Sequence, residues 1–114
     1  MWVRDLQSGG TPIPERERES IIQRIEQYAQ KHYRGRYQRL DVRFRGSFCY
    51  VDAFQDDDPQ PVHLCRLRHF NKNLWSVAIY TYSNEAYTPS VVGADDGSTT
   101  IEAGFAAAAN LYLT

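Results

Sequence analysis

The chain has 114 residues, 42% of them hydrophobic and 13% aromatic, and a formal net charge of −1. That length suits one domain with a core of its own, and the apolar content excludes a disordered chain. The near-neutral balance excludes a global field drawing it to nucleic acid or membrane, and no apolar run approaches the ~20 residues of a membrane span.

Residues 1–12 read as a flexible lead-in to a single α+β domain over 13–114. Ser8-Gly9-Gly10 is a joint, and Pro12 and Pro14 disfavour regular structure before the first helix. Trp2, Val3 and Leu6 are the lead-in's apolar side chains and could dock on the domain. No basic segment followed by an apolar run stands at the N-terminus, so no secretory signal is expected, and a cytoplasmic setting follows.

A helix is predicted to start near Pro14, a residue suited to a first helical position. Glu15, Glu17 and Glu19 place negative charge in its opening turns. Ile21, Ile22, Ile25, Tyr28, Ala29 and His32 recur at helical spacing and make one apolar stripe. Lys31, His32 and Arg34 lie at the C-terminal end, and Gly35 suits the cap.

The stretch RLDVRFRGSFCYVDAF, residues 39–54, reads as a β-hairpin with two chemically different faces. Leu40, Val42 and Phe44 alternate with charged residues, the period of a strand with one buried face. A turn at Arg45-Gly46 pairs Phe44 with Ser47, Val42 with Cys49 and Leu40 with Val51. Leu40, Val42, Phe44, Cys49, Val51 and Ala53 then form the apolar face. Arg39, Asp41, Arg43, Phe48, Tyr50 and Asp52 form the other, with Arg39 across from Asp52 and Asp41 beside Tyr50. A three-residue loop would instead bury Asp52 without a partner, which is costly.

Gln55 to Pro61 is an acidic, proline-punctuated loop. Its three aspartates lack the spacing of a calcium loop and read as a solvated tip. Val62 to Phe70 is a third strand, with His63, Cys65, Leu67 and His69 on the core side and Val62, Leu64, Arg66, Arg68 and Phe70 on the other. Asn71-Lys72-Asn73 supplies a turn. Leu74 to Tyr82 is a fourth strand: Trp75, Val77, Ile79 and Thr81 face the core, and Ser76, Ala78, Tyr80 and Tyr82 face away. After a loop at Ser83-Asn84-Glu85, Tyr87 to Val92 suggests a short strand that Pro89 confines to an edge. A turn region follows over 93–98. Thr99 and Glu102 have the spacing of a capping box, opening a short second helix with Ile101, Phe105, Ala108, Ala109 and Tyr112. Gly104 weakens that helix by propensity. The expected fold is therefore α+β: an N-terminal helix packed on a four- to five-stranded antiparallel sheet, with a short C-terminal helix.

Three candidate sites emerge. The polar sheet face collects Arg39, Arg43, Arg66 and Arg68 with Phe48, Tyr50, Tyr80 and Tyr82. Such a surface suits a protein partner or a second subunit, since large rings on an open face suggest an interface. It also suits nucleic acid or a phosphoanion through stacking and bidentate bonds. The blander account is a solvated face whose arginines pair with Asp41 and Asp52. The second candidate is Cys49, His63, Cys65 and His69, ligand types for zinc but at no familiar finger spacing. Buried free thiols are the preferred reading of both cysteines. The third is a thiol enzyme built on Cys65 with His63 or His69. The scattered glycines make no phosphate loop, and neither HExxH nor GxSxG occurs. No catalytic residue, metal or cofactor is therefore assigned. The expected binding residues are Arg43, Phe48, Tyr50, Arg66, Arg68, Tyr80 and Tyr82, in a non-enzymatic binding or self-association module. Nucleic-acid binding on the same face is the alternative, and a metal- or thiol-dependent enzyme the second alternative.

RFRGSFCYVDAF, then PVHLCRLRHF, then a Trp-bearing strand running into YTYSNEAYTP, resembles a group of short bacterial proteins of unknown function. The likeness covers most of the chain from Pro12 onward, with an alanine-richer C-terminal segment here. It implies a bacterial, soluble setting and brings no ligand or site with it.

Overall fold

A computed structural model describes residues 9–71, 74–90 and 98–114. Expectations for Trp2, Val3 and Leu6, for the Lys72-Asn73 turn, and for 91–97 lie outside the described residues. The elements run α1 (Glu15–His32), β1 (Arg39–Arg45), β2 (Phe48–Phe54), β3 (Val62–Asn71), β4 (Leu74–Thr81), β5 (Ala86–Ser90) and α2 (Ile101–Tyr112). The five strands form one antiparallel meander in sequence order, the α+β arrangement the residue pattern calls for. Among the described residues no helix is long and apolar enough to cross a membrane.

Both helices lie on the same side of the sheet. α2 lies across β3 and β4, while α1 packs on α2 and touches β1. One core joins Ile21, Ile25, Ala29 and Tyr33 to Phe105, Ala108 and Leu113, and both groups to Cys49, Val51, Leu67, Trp75 and Val77. Full burial of each larger apolar side chain contributes about 1.5–3 kcal/mol. Arg24 clamps the two helices, donating to both oxygens of Glu102 at 2.9 and 2.7 Å. The stripe of α1 ends on Tyr33, not on His32, which is exposed. Spacing of four from Ile21 leads to Tyr33, whose hydroxyl reaches Asn110 at 2.7 Å.

Three local expectations shift. The hairpin turn is Gly46-Ser47, with Gly46 at φ +58°, so Phe44 pairs with Cys49, Val42 with Val51 and Leu40 with Ala53. This register differs from the expected one by two residues. Side chains alternate with period two, so each residue keeps its face. Arg39 thereby meets Phe54, and Asp52 meets Asp41, not Arg39. The helix cap is Thr100, whose hydroxyl accepts from the Ala103 amide. Thr99 instead pairs with Trp75 through two backbone bonds.

The third shift is the largest. A bulge between β2 and β3 sets Val51 opposite Cys65 but Asp52 opposite His63. Leu64 is the extra residue, and it is fully buried. Val62, opposite Ala53, packs against the core. His63 is consequently turned to the side away from the helices, against its expected place beside Cys65. Residues 9–13 cross the end of β3, where the Thr11 amide donates to the His69 carbonyl at 2.8 Å. A β-carbon on Gly10 would stand 3.0 Å from that oxygen.

Candidate functional site on the helix-free sheet face

With both helices on one side, the other side displays the arginines and rings. Cross-strand pairing runs Arg43, Tyr50, Arg66, Ala78, Pro89 in one row, Phe48, Arg68, Ser76 in a second, and Tyr80, Tyr87 in a third. Arg43, Phe48, Tyr50, Arg66, Arg68 and Tyr80 therefore share this face. Tyr82, just past β4, is 48% exposed. Tyr87 belongs with them although the sequence reading left it out. Its alternation with Pro89 on an edge strand was the available signal.

The rings form a continuous ribbon. Centroids lie 6.0 Å apart for Phe48–Tyr50, 5.5 Å for Tyr50–Tyr87, 5.1 Å for Tyr80–Tyr87 and 4.8 Å for Tyr80–Tyr82. The last three pairs meet edge to face, the arrangement favoured by ring quadrupoles. Guanidinium groups cover much of the ribbon. Arg66 lies 4.5 Å from the Phe48 ring and 5.5 Å from Tyr87, Arg68 lies 4.7 Å from Phe48, and Arg43 lies 5.6 Å from Tyr50. Arg39 stacks at 3.8 Å on Phe54.

Asp52 organises one corner. It is only 3% exposed, yet both oxygens are engaged: Arg43 Nη2 donates at 2.9 Å and His63 Nδ1 lies at 3.0 Å. Arg43 also pairs with Asp41 at 3.2 Å, which reconciles two carboxylates facing each other across the ladder. The His63 amide donates to the Tyr82 hydroxyl at 2.7 Å, and its ring lies 4.8 Å from Tyr80. Burial pushes the Tyr87 phenol up to about 12, with the Asp52 charge adding and Arg43 opposing. Burial also raises Tyr82, partly offset by the His63 amide. Both phenols stay neutral near pH 7.

The four residues considered for zinc do not converge. Cys49 and Cys65 are free and buried in the core, and burial raises both thiols, Cys49 to about 12. His69 Nδ1 bonds the Thr11 carbonyl at 2.8 Å, and His63 is on the opposite face. Neither histidine stands as a partner for Cys65 in thiol chemistry. The acidic loop holds Asp56 and Asp57 at positive φ and uses Asp57 to accept from Gln38. In comparisons with known proteins, the chain matches no family model, no curated protein and no solved structure.

Proposed function

We propose that this chain is a binding module whose working surface is the helix-free face of its sheet, and that its occupant is a polypeptide, a second copy of the chain first. The observation that carries the reading is the placement of both helices on one side, which, among the described residues, leaves the ribbon from Phe48 to Tyr80 without a helix over it, while Tyr82 meets Tyr112 at the end of α2 at 5.7 Å. Arg43 and Arg68 already donate to Asp41, Asp52 and the Gly9 carbonyl, so Arg66, lying against the Phe48 and Tyr87 rings, is the guanidinium of this face that a partner's carboxylate would meet. The exposed aspartates at 56–58 are such carboxylates on a second copy.

The same stacking argues against nucleic acid. A base needs an open ring face, and Arg43, Arg66 and Arg68 already lie against Tyr50, Phe48 and Tyr87. The setting proposed is bacterial, on the resemblance noted above, and cytoplasmic, as the sequence reading expects.

Light scattering behind a sizing column tests the reading. The expected mass exceeds that of one chain at tens of micromolar and returns to one chain on Tyr82→Ala with Arg66→Ala. A strict monomer at every concentration removes self-association. Affinity for a single-stranded oligonucleotide that falls steeply with salt and weakens on Arg43→Ala or Arg66→Ala would replace this reading with the nucleic-acid one.

A further inference from the structure

We propose that Asp52 and His63 form an acid–base pair that serves a small-molecule site on the same face, competent to hydrolyse a small ester. This goes beyond partner binding, and the two uses of the face compete: the ester is taken by the single chain, whose cleft is open.

The bulge is the first observation. Regular pairing would place His63 over the core, and Leu64 as an extra residue turns it outward. Bulges recur beside active sites because they re-aim one side chain. The second observation is the carboxylate behind the imidazole. Asp52 is buried, and an ionised carboxylate only accepts hydrogen bonds. His63 Nδ1, 3.0 Å from Oδ1, must therefore carry the proton. In neutral His63 this leaves a lone pair on Nε2, the orienting arrangement that a carboxylate gives a catalytic histidine. Arg43 on the other carboxylate oxygen at 2.9 Å holds Asp52 in place.

The third observation is access. The His63 side chain is 37% exposed, and its Nε2 has no partner among the described residues. It lines a cleft of about 530 Å³ together with Arg43, Arg45, Tyr50, Tyr80 and Tyr87. That lining offers guanidinium and phenol hydroxyl donors to a small ester, above all one bearing an anionic group.

The step balances without a further reagent. Nε2 takes a proton from water as the water oxygen bonds to the ester carbonyl carbon, and the carbonyl electron pair moves onto its oxygen. Collapse re-forms the carbonyl and breaks the bond to the leaving alkoxide or phenolate. The imidazolium, stabilised by Asp52, then returns its proton to the leaving group or to solvent. Asp52 is a positioning residue, and His63 touches the reacting water.

Two measurements on the full chain decide the matter. Long-range proton–nitrogen correlation on ¹⁵N-labelled protein should show neutral His63 with its proton on Nδ1. A proton on Nε2, or an even mixture, overturns the proposal. With p-nitrophenyl acetate as probe, His63→Gln should lower p-nitrophenolate release at least about tenfold, the low end of general-base contributions. His32→Gln should leave it unchanged. Equal rates for the native chain and His63→Gln overturn the proposal. Asp52→Asn should lower the rate and shift the tautomer. If that variant does not fold, the spectrum of the native chain and the two histidine variants still decide.

Discussion

Gly104 sits inside α2 and faces the sheet, so Gly104→Ala tests how closely that helix is seated. By propensity alone the substitution should stabilise a helix by about 0.8–1.0 kcal/mol. The tertiary setting opposes this. A β-carbon at 104 would lie 2.7 Å from Leu67 Cδ2, 3.2 Å from Thr99 Cγ2 and 3.4 Å from Val77 Cβ. Carbon–carbon contacts settle near about 3.5–4.0 Å, so either the helix lifts or Leu67 rotates. Leu67 is fully buried and has little room to turn. Overpacking of this kind costs about 1–3 kcal/mol, which leaves a net loss near about 1 kcal/mol after the propensity gain. Thermal unfolding followed by circular dichroism should then show a fall of roughly 4 °C. In a Leu67→Val background the clashing methyl is gone, and Gly104→Ala should become neutral or stabilising. A rise in Tm in the native background, or the same loss in both, would refute the seating argument.

Thr100→Ala removes the α2 cap and should cost about 1 kcal/mol in denaturant unfolding. Thr99→Val should be neutral or stabilising, because the Thr99 hydroxyl is buried with no partner among the described residues and its removal relieves a desolvation cost. Burial raises the Glu102 carboxyl, but the bonds and charge from Arg24, with a bond from its own backbone amide, outweigh it and hold the group below its ordinary value of 4.5. The clamp therefore contributes stability above that unfolded value and loses it as pH falls through the depressed folded value. Arg24→Ala should flatten the Tm-versus-pH curve over that acid range. Cys49 and Cys65 should resist a disulfide thiol reagent at pH 8 until the protein unfolds, since both are buried and raised well above the pH. Prompt native-state labelling would contradict their placement in the core.

Much of the framework was legible because it depends on periods that local sequence carries. The alternation over 39–44 and 48–53 assigned those hairpin residues to their faces, even though the turn moved by one position and the pairing by two. Ile21, Ile25 and Ala29 marked the buried stripe of α1, and Pro89 marked an edge strand. The candidate surface was legible to the same extent: Arg43, Tyr50, Arg66 and Tyr80 followed from strand parity alone. His63 did not. One inserted residue, Leu64, reverses parity along the start of β3, and a buried leucine and an outward histidine carry no local mark of that reversal.

Sequence alone settled which residues prefer water and which prefer a core, and hence the kinds of elements and their order. It could not say that both helices share one side of the sheet, nor that Asp52 meets His63 and Arg43. Those facts depend on pairings between residues distant in the chain, where packing against Leu67, Trp75 and Val77 outweighs any local preference. The glycine that propensity counts against α2 is the same glycine whose missing side chain lets α2 reach the sheet.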